Sequence, residues 1–285
     1  MGLGTGLSGT GGSHDLYVPE IWSKRIQSAF ERNTVAKERG MDMSNLLAES
    51  GGDILRVPRL ANRTATTRAL TAFDEITPTA ATETAFSMNV QTWVVDDEFI
   101  SDALSAQTKL FNMGQLDGKM QRSLAEKFDT DMWANYTSIT ATLGDNTGAS
   151  DVSPDDIFDA LERLDSNFAP KSDRCIVLSP KSYWAMVKNN TIPSGDYSSE
   201  KSKETGALPR IGGVEVIMSQ NLPAHANGGR VNLVLHKECL VYAIAKQASV
   251  MTEHFAARRG TIVGGDMIYG TGCYRAAAGV VLFGK

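Results

Sequence analysis

Residues 61–86 place the strongest constraint on the fold, because they form a long segment that cannot pack a core of its own. The segment, ANRTATTRALTAFDEITPTAATETAF, is rich in Thr and Ala, has few large apolar side chains and shows no helical period. Strand-like sequences flank it: ILRVPRL, which follows Gly51-Gly52 and Asp53, and the alternating SMNVQTWVV of residues 87–95. Long irregular connections are uncommon inside a compact domain. We therefore expect an extended two-stranded loop that projects from the body and needs a neighbouring surface for stability.

Charges in and around this loop are sorted by sign along the chain. The basic group, with no acid inside it, is Arg56, Arg59, Arg63 and Arg68. The acidic group, with no base until Lys109, is Asp74, Glu75, Glu83, Asp96, Asp97, Glu98 and Asp102. Such a loop can form ion pairs across its own two strands, or it can lie on a neighbouring subunit of complementary charge. The sequence leaves both alternatives open.

The elements around the loop indicate an α+β protein. Residues 1–14 are a Gly/Ser/Thr tract expected to be a flexible arm, and a short amphipathic helix after Pro19 carries Trp22, Ile26 and Phe30 on one face. The longest helix is predicted between about residues 101 and 137, and Gly114 and Gly118 favour a main rod that begins near Lys119. Its apolar stripe is Ala106, Leu110, Met113, Leu116, Met120, Leu124, Phe128 and Met132.

The second half of the chain predicts one well-defined helix and a series of strands. Ser153 is a helix cap followed by Pro154 at the first helical position, which is typical of a helix start. A strand (CIVLS), a second Pro-started helix (PKSYWAMVKN) and a polar surface loop over residues 189–206 come next. The remaining strands are GVEVIMS, VNLVLH, LVYAIA, SVMTEHF, TIVGGDMIYG and CYRAAAGVVLFG.

Composition excludes several classes of function. The 285 residues suffice for one elaborated domain or two intimate ones, and the net charge of −5 argues against a dedicated DNA-binding protein. Cys175, Cys239 and Cys273 are odd in number and widely spaced, so neither a disulfide framework nor a zinc site is expected, and a reducing compartment fits. No apolar run approaches the roughly 20 residues of a membrane span.

Motifs for catalysis are weak throughout. A GxGxxG match at residues 4–9 lacks the preceding strand that a dinucleotide site requires. Carboxylates cluster at residues 96–98 and at Asp129 with Asp131, and we interpret both clusters as solvated or ion-paired groups on a strand end and on the outer face of a helix. His236 ends an apolar strand and is interpreted as a hydrogen-bonded core residue. No catalytic, cofactor-binding or metal-binding residue is predicted.

Five segments follow one another in a characteristic order and spacing: VPEIWSKRI, GGDILRVPRL, RCIVLSPKSYWAMV, IGGVEVIMSQNLP and IVGGDMIYGTGCYR. Together they resemble the major capsid proteins of tailed bacteriophages, which have the Hong Kong 97 type fold. The resemblance implies an N-arm at residues 1–50 and an E-loop at 51–95. It implies a P-domain with its spine helix at 96–148, an A-domain at 149–245, and P-domain strands with the C-terminus at 246–285.

This resemblance also implies a function. We expect a coat protein that assembles as hexamers and pentamers into an icosahedral head shell around double-stranded DNA, first as a procapsid and then as an expanded capsid. The implied partners are a scaffolding protein, a portal, a possible decoration protein and DNA bound non-specifically, with assembly in the host cytoplasm and no membrane. Because the chain begins with Met1 close to the N-arm, we expect the scaffold to be a separate protein.

Some members of that family join neighbouring subunits by an isopeptide bond from an E-loop lysine. No lysine lies between Lys37 and Lys109 here, so we predict no such crosslink. The inter-subunit contacts are expected at the four arginines of the basic group and at acids among Asp74, Glu75, Asp96, Asp97 and Glu98. Two alternatives remain: an encapsulin-like compartment with the same fold, and a soluble metal-dependent hydrolase that uses the Asp129/Asp131 or His236 region.

Overall fold

The chain folds into three β-sheets with helices packed against two of them. The computed structural model describes residues 34–50, 52–60, 65, 67, 83–103, 113–145, 147, 150–188, 208, 210–225 and 227–284. The predicted flexible arm, the helix with Trp22, Ile26 and Phe30, and the polar loop at 189–206 lie outside these residues. Within them the α+β class predicted from the sequence is confirmed.

Five helices and eleven strands are named here in chain order. The helices are α1 (Ala36–Arg39), α2 (Ser44–Ser50), α3 (Met113–Ala134), α4 (Pro154–Ser166) and α5 (Pro180–Lys188). The strands of the first half are β1 (Met41–Asp42), β2 (Ile54–Leu60), β3 (Glu83–Asn89), β4 (Thr92–Ser101) and β5 (Ala141–Gly144). Those of the second half are β6 (Arg174–Leu178), β7 (Glu215–Met218), β8 (Arg230–His236), β9 (Leu240–Phe255), β10 (Gly260–Cys273) and β11 (Gly279–Gly284).

A long four-stranded sheet, ordered β1-β9-β10-β4, carries the helix α3 on one face. The described part of the apolar stripe predicted for α3 is buried there: Met120 packs with Ile100 and Val263, and Phe128 packs edge-on against Tyr242 and Tyr269. The stripe's other predicted members, Ala106, Leu110 and the side chains of Met113 and Leu116, lie outside the described residues. Because side chains alternate along a strand, the residues between these core positions point to the opposite face of the sheet. We call that opposite face, away from α3, the outer face.

A second sheet of five strands, ordered β5-β11-β8-β6-β7, is covered on both faces. One face packs against α4 and α5 through Ile157, Leu164 and Met186. The other face joins the core of α3 around Trp133. All five residues of β6 are buried, which is the near-continuous apolar pattern of a strand covered on both sides. The helix α4 begins as predicted, with a capping box between Ser153 and Asp156 and with Pro154 at its start.

The strands β2 and β3 form a separate hairpin sheet and pair only with each other among the described residues. A corner at Val90 and Gln91 separates β3 from β4, and the backbone N–H of Val90 donates to the carbonyl of Asp53 at 2.7 Å. This corner lies directly over Gly270 of β10, where a Cβ atom would collide with the backbone of Asn89 and Val90. Glycine therefore permits the close approach that turns the chain from the hairpin into the long sheet.

Four predicted boundaries were wrong. The strand predicted over residues 273–284 is only β11, because Cys273 ends β10 and Ala276–Ala278 form a 3-10 turn before Gly279. The strand predicted at 87–95 is two strands, because the hydrogen bond from Val90 to Asp53 ends the hairpin. The predicted strands LVYAIA and SVMTEHF are one strand, β9, whose polar middle is a bulge: the register with β10 shifts around Ile268, which pairs with Lys246. The helix α3 begins at Met113 and continues through Gly118 instead of starting near Lys119.

Candidate assembly surfaces

The base of the β2–β3 hairpin is fixed to the body of the protein by buried apolar side chains. Leu55 of β2, Met88 of β3 and Val90 at the corner pack in one cluster with Met43 and Val241. Leu55, Met88 and Val90 are each less than 5% exposed. The hairpin therefore leaves the body at a defined position. Along its described length, β2 and β3 pair with each other and with no third strand.

Two of the predicted contact arginines, Arg56 and Arg59, lie on β2 in different environments. The Nη1 atom of Arg59 donates to the carbonyl oxygen of Tyr274 at 2.7 Å, and its guanidinium lies 4.9 Å from the centre of the Tyr274 ring. Phe86 of β3 packs edge-on against the same ring, with centroids 5.3 Å apart. Arg56, by contrast, is exposed. Arg59 thus holds the hairpin to its own chain, whereas Arg56 presents its charge to solvent.

Ion pairing across the two strands of the hairpin, one of the alternatives left open by the sequence, is not observed for these arginines. Arg56 faces Ser87 and Arg59 faces Thr84 in the hairpin register. The acids Asp96, Asp97 and Glu98 lie on β4, which pairs with β10 in the long sheet. Arg63, Arg68, Asp74 and Glu75 lie outside the described residues.

The three acids of β4 are divided between the two faces of the long sheet. Asp96 and Glu98 lie on the same face of β4 as Ile100, whose side chain is buried against α3. Asp97 points to the outer face, and its carboxylate lies over Gly264 of β10. The sequence-based interpretation placed these acids at a strand end, but they lie inside the ten-residue strand β4, because this strand continues to Ser101.

The outer face exposes an unusual number of large apolar side chains, which the sequence reasoning missed. Its exposed members are Trp93 (64%), Val95 (51%), Phe99 (45%), Met251 (65%) and Phe255 (39%). The strand register places them together, because Asp97 and Met251 both pair with Gly264, while Ser101 and Phe255 both pair with Gly260. A signal was present in the sequence: apolar residues occupy consecutive positions 93–95, as in a strand with apolar residues on both faces.

A fixed polar group lies within this apolar surface. Asp266 of β10 accepts hydrogen bonds from the Nζ of Lys246 at 2.5 and 2.6 Å, from the Ser249 hydroxyl at 2.9 Å and from the Trp93 indole Nε1 at 3.3 Å. The Lys246 and Ser249 hydrogen bonds lower the pKa of Asp266 below its ordinary value. The carboxylate consequently remains ionised and orients the Trp93 ring on the outer face.

Asp129, interpreted from the sequence as a solvated or ion-paired acid on the outer face of a helix, is instead buried and accepts four hydrogen bonds. Its side chain is 1% exposed. Oδ1 accepts from the backbone N–H groups of Val35 at 2.8 Å and Ala36 at 2.6 Å, and Oδ2 accepts from Trp133 Nε1 at 3.1 Å and Asn221 Nδ2 at 2.8 Å. The correction follows from helix phase, because Asp129 lies on the buried side of α3. This carboxylate joins the chain before α1, the helix α3 and the loop after β7.

The neighbouring groups of the hydrolase alternative also have structural partners. Asp131 forms an ion pair with Lys127 at 2.5 Å and accepts from the Tyr269 hydroxyl at 2.7 Å. Burial and this hydrogen bond raise the pKa of Tyr269. His236 is 5% exposed and its Nδ1 accepts from the backbone N–H of Glu238 at 3.3 Å, as expected for a core histidine.

Neither a membrane helix nor a metal cluster is found in the described part of the chain. None of its helices is both long enough and apolar enough to cross a bilayer. Over the same residues, no group of three or more His, Cys, Asp or Glu side chains is placed to hold a metal ion.

Comparison with solved structures identifies the fold. A chain of the Mycobacterium phage Che8 structure has 16% identity and a TM-score of 0.79, with 93% of this chain and 97% of that chain covered. A chain of the capsid structure of the cyanophage P-SCSP1u has 19% identity and a TM-score of 0.79, with coverage of 98% and 97%. A chain of the cyanophage Pam1 capsid has 13% identity and a TM-score of 0.69, with 98% of each chain covered.

Sequence comparison adds the family. No curated protein matches the chain in sequence. The family described as Gp10A-like major capsid protein matches residues 97–261, which is more than half of the chain. The match and the capsid structures above favour the phage coat over the encapsulin-like compartment and the metal-dependent hydrolase. We conclude that the chain belongs to the Gp10A-like family of tailed-phage major capsid proteins, with the Hong Kong 97 type capsid fold, and is a structural component of the virion capsid, not an enzyme.

Proposed function

We propose that copies of this chain form hexamers and pentamers, and that the outer face of one copy is covered by the β2–β3 hairpin of the next. The observation that carries this proposal is the apolar outer face itself, with five large side chains exposed between 39% and 65%. Burying apolar surface contributes about 25 cal/mol per Å². A single contact of this kind is modest, but a closed symmetric shell repeats it at every subunit.

Charge complementarity supports the choice of the hairpin as the covering segment. Asp97 lies on the outer face among the exposed apolar residues, and Arg56 is the exposed charge of β2. Opposite charges at the edge of an apolar contact fix its register more than they add to its affinity. We extend the same role to Arg63, Arg68, Asp74 and Glu75 of the E-loop, while Arg59 acts within its own subunit through Tyr274.

The division into N-arm (1–50), E-loop (51–95), P-domain (96–148 and 246–285) and A-domain (149–245) is part of this proposal. The long sheet with α3 corresponds to the P-domain, and the five-stranded sheet with α4 and α5 corresponds to the A-domain. Two strands of the five-stranded sheet, β5 and β11, come from outside residues 149–245. The A-domain therefore includes these two strands in space, although its numerical boundaries exclude them.

The remaining parts of the proposal concern assembly. The shell is icosahedral, encloses double-stranded DNA, forms first as a procapsid in the host cytoplasm and then expands. A scaffolding protein and a portal take part, a decoration protein is a possible addition, and the net charge of −5 supports non-specific contact with DNA without tight adhesion. The absence of lysine between Lys37 and Lys109 supports a shell without isopeptide crosslinks. Covalent ladders from intact particles on a denaturing gel would contradict that last point.

The hairpin contact is tested by reversing one exposed charge. We expect Arg56→Glu to reduce the yield of particles from a co-expression with the scaffolding protein, and to make the remaining assembly less sensitive to salt. Arg56→Lys, which keeps the charge, is the matched control and is expected to assemble. The thermal unfolding midpoint of the unassembled Arg56→Glu subunit is expected to equal that of the wild type, because Arg56 is exposed. Normal particle yield for Arg56→Glu at every salt concentration would overturn the proposed contact.

A second test addresses the outer face. Trp93→Ser and Met251→Ser remove exposed apolar side chains from two different strands of this face. We expect both to lower particle yield. Phe158→Ser is the matched control, because Phe158 is 41% exposed but lies on α4, which packs on the five-stranded sheet and not on the long one. Equal yields for the outer-face variants and the wild type would contradict burial of this face in the shell.

A further inference from the structure

Two of the three cysteines lie together at one end of the long sheet. Cys239 ends the turn between β8 and β9, and Cys273 is the last residue of β10. Leu240, the residue after Cys239, pairs directly with Cys273, and the backbone N–H of Tyr274 donates to the carbonyl of Cys239 at 2.8 Å. Both side chains belong to the same apolar cluster, in which Cys239 is buried and Cys273 is partly exposed.

The two thiols are near enough to affect each other's ionisation, since each changes the pKa of the other. The pairing of Leu240 with Cys273 makes Cys239 and Cys273 diagonal neighbours across two paired segments, and disulfides usually join Cα atoms about 5.5–6 Å apart. The third thiol, Cys175, lies on the buried strand β6, and it is not exposed to solvent. The site is therefore a pair of thiols with one member accessible from solvent.

The surroundings make the accessible member the reactive one. The neighbouring Cys239 thiol, and then the positive charge of Arg59, lower the pKa of Cys273. The neighbouring Cys273 thiol and burial raise the pKa of Cys239, and burial raises the pKa of Cys175 to about 12. Because the thiolate is the nucleophile in disulfide exchange, Cys273 reacts first and Cys175 is unreactive in the folded chain.

We propose that Cys239 and Cys273 are a redox site that closes to an intrachain disulfide when the protein meets a low-molecular-weight disulfide such as oxidised glutathione. In the first step the Cys273 thiolate attacks one sulfur of the glutathione disulfide, which forms a mixed disulfide and releases one glutathione thiolate. In the second step Cys239 transfers its proton to a released thiolate and attacks the Cys273 sulfur, which expels the second glutathione. Two protein thiols and one glutathione disulfide thus give one protein disulfide and two reduced glutathiones.

The position of this bond connects it to the hairpin. Tyr274 follows Cys273 directly and holds Arg59 of β2 through its carbonyl and its ring. A disulfide at this point ties the turn before β9 to Cys273, the residue next to Tyr274, which contacts Arg59 near the far end of β2. The bond forms within one chain, so the inference does not depend on the proposed contact between copies.

The test uses the purified full chain and oxidised glutathione at neutral pH. Trypsin places the three cysteines in different peptides, residues 175–181, 238–246 and 260–275. We expect the titratable thiols of the unfolded protein to fall from three to one, and mass spectrometry to find peptide 238–246 linked to 260–275 with the loss of two hydrogens. Three remaining thiols, a stable glutathione adduct at Cys273 alone, a link that involves Cys175, or a link between two copies would each overturn the proposal.

Variants separate the two steps. Cys175→Ser is expected to form the link like the wild type, whereas Cys239→Ala is expected to stop at the glutathione adduct of Cys273. Arg59→Ala is expected to slow the first step by about threefold for each unit by which the pKa of Cys273 rises. Arg258→Ala, an exposed arginine in the turn before β10 and so at the opposite end of that strand from Cys273, is the control and is expected to react at the wild-type rate. Equal rates for the two arginine variants would refute the role assigned to Arg59.

Discussion

The buried carboxylate of Asp129 allows the sharpest prediction about stability. Asp129→Asn keeps the shape of the side chain but replaces one oxygen with an amide nitrogen, which cannot accept a hydrogen bond. If the nitrogen takes the place of Oδ1, the N–H groups of Val35 and Ala36 lose their acceptor; if it takes the place of Oδ2, Trp133 and Asn221 lose theirs. Either orientation leaves two donors facing a third donor in a site that is 1% exposed.

The size of the effect follows from the hydrogen bonds lost. Each hydrogen bond to a charged group contributes about 1.5–3 kcal/mol, so losing two costs about 3–6 kcal/mol of the free energy of unfolding. The assay is urea unfolding of the unassembled subunit followed by tryptophan fluorescence, where we expect a lower midpoint at an unchanged slope. The matched control is Asp131→Asn, two residues further along the same helix and partly exposed, for which we expect about 1 kcal/mol because its amide oxygen still accepts from Tyr269.

A contradictory result is easily recognised. If the free energy of unfolding of Asp129→Asn lies within about 1 kcal/mol of the wild-type value, the four hydrogen bonds do not hold the segment before α1, the helix α3 and the loop after β7 together. An equal loss for both variants would mean that removing a charge, and not removing an acceptor from the core, is the cause.

Three further predictions concern single side chains. Arg59→Ala should lower the free energy of unfolding by about 1–2 kcal/mol, because it removes the hydrogen bond and the ring contact with Tyr274, whereas Arg56→Ala should stay within about 0.5 kcal/mol; chemical denaturation compares them. Asp266→Asn should weaken the dependence of the thermal unfolding midpoint on acid pH. Because the carboxyl pKa is lowered in the fold, Asp266 stabilises the protein above the ordinary Asp pKa of about 4, and this stabilisation is lost as the pH falls further. In calorimetry, the midpoint temperature of the wild type should therefore fall more steeply with decreasing pH than that of the variant. Ser153→Ala should destabilise by about 1 kcal/mol in the same denaturation assay, through loss of the capping box of α4; no change would show that Pro154 alone sets the helix start.

Local signals in the sequence predicted those elements whose determinants are close together in the chain. Ser153 and Pro154 locate the start of α4 within a few residues, and the spacing of Met120, Leu124 and Phe128 identifies the buried face of α3. The apolar run of β6 was recognised for the same reason. In each case the residues that decide the structure are neighbours on one helix face or one strand.

Features that depend on distant partners were missed. Asp129 accepts hydrogen bonds from residues 35, 36 and 221, which no local pattern reveals. The one local signal was Trp133, one helical turn later, because a buried indole N–H needs an acceptor nearby. The bulge that joins the two halves of β9 depends on the register with β10. The outer face was missed because its members come from β4 and β9, which only the paired sheet brings together. The loop predicted at 61–86 remains a prediction beyond its paired ends.

A three-dimensional reconstruction of the assembled particle tests the central claim most directly. It is expected to show the β2–β3 hairpin of one copy lying on the outer face of the next, with Trp93 and Met251 buried and Arg56 near an acid of the neighbouring copy. A particle in which no part of the hairpin reaches the neighbouring copy, or in which Trp93 and Met251 stay open to solvent, would contradict this account.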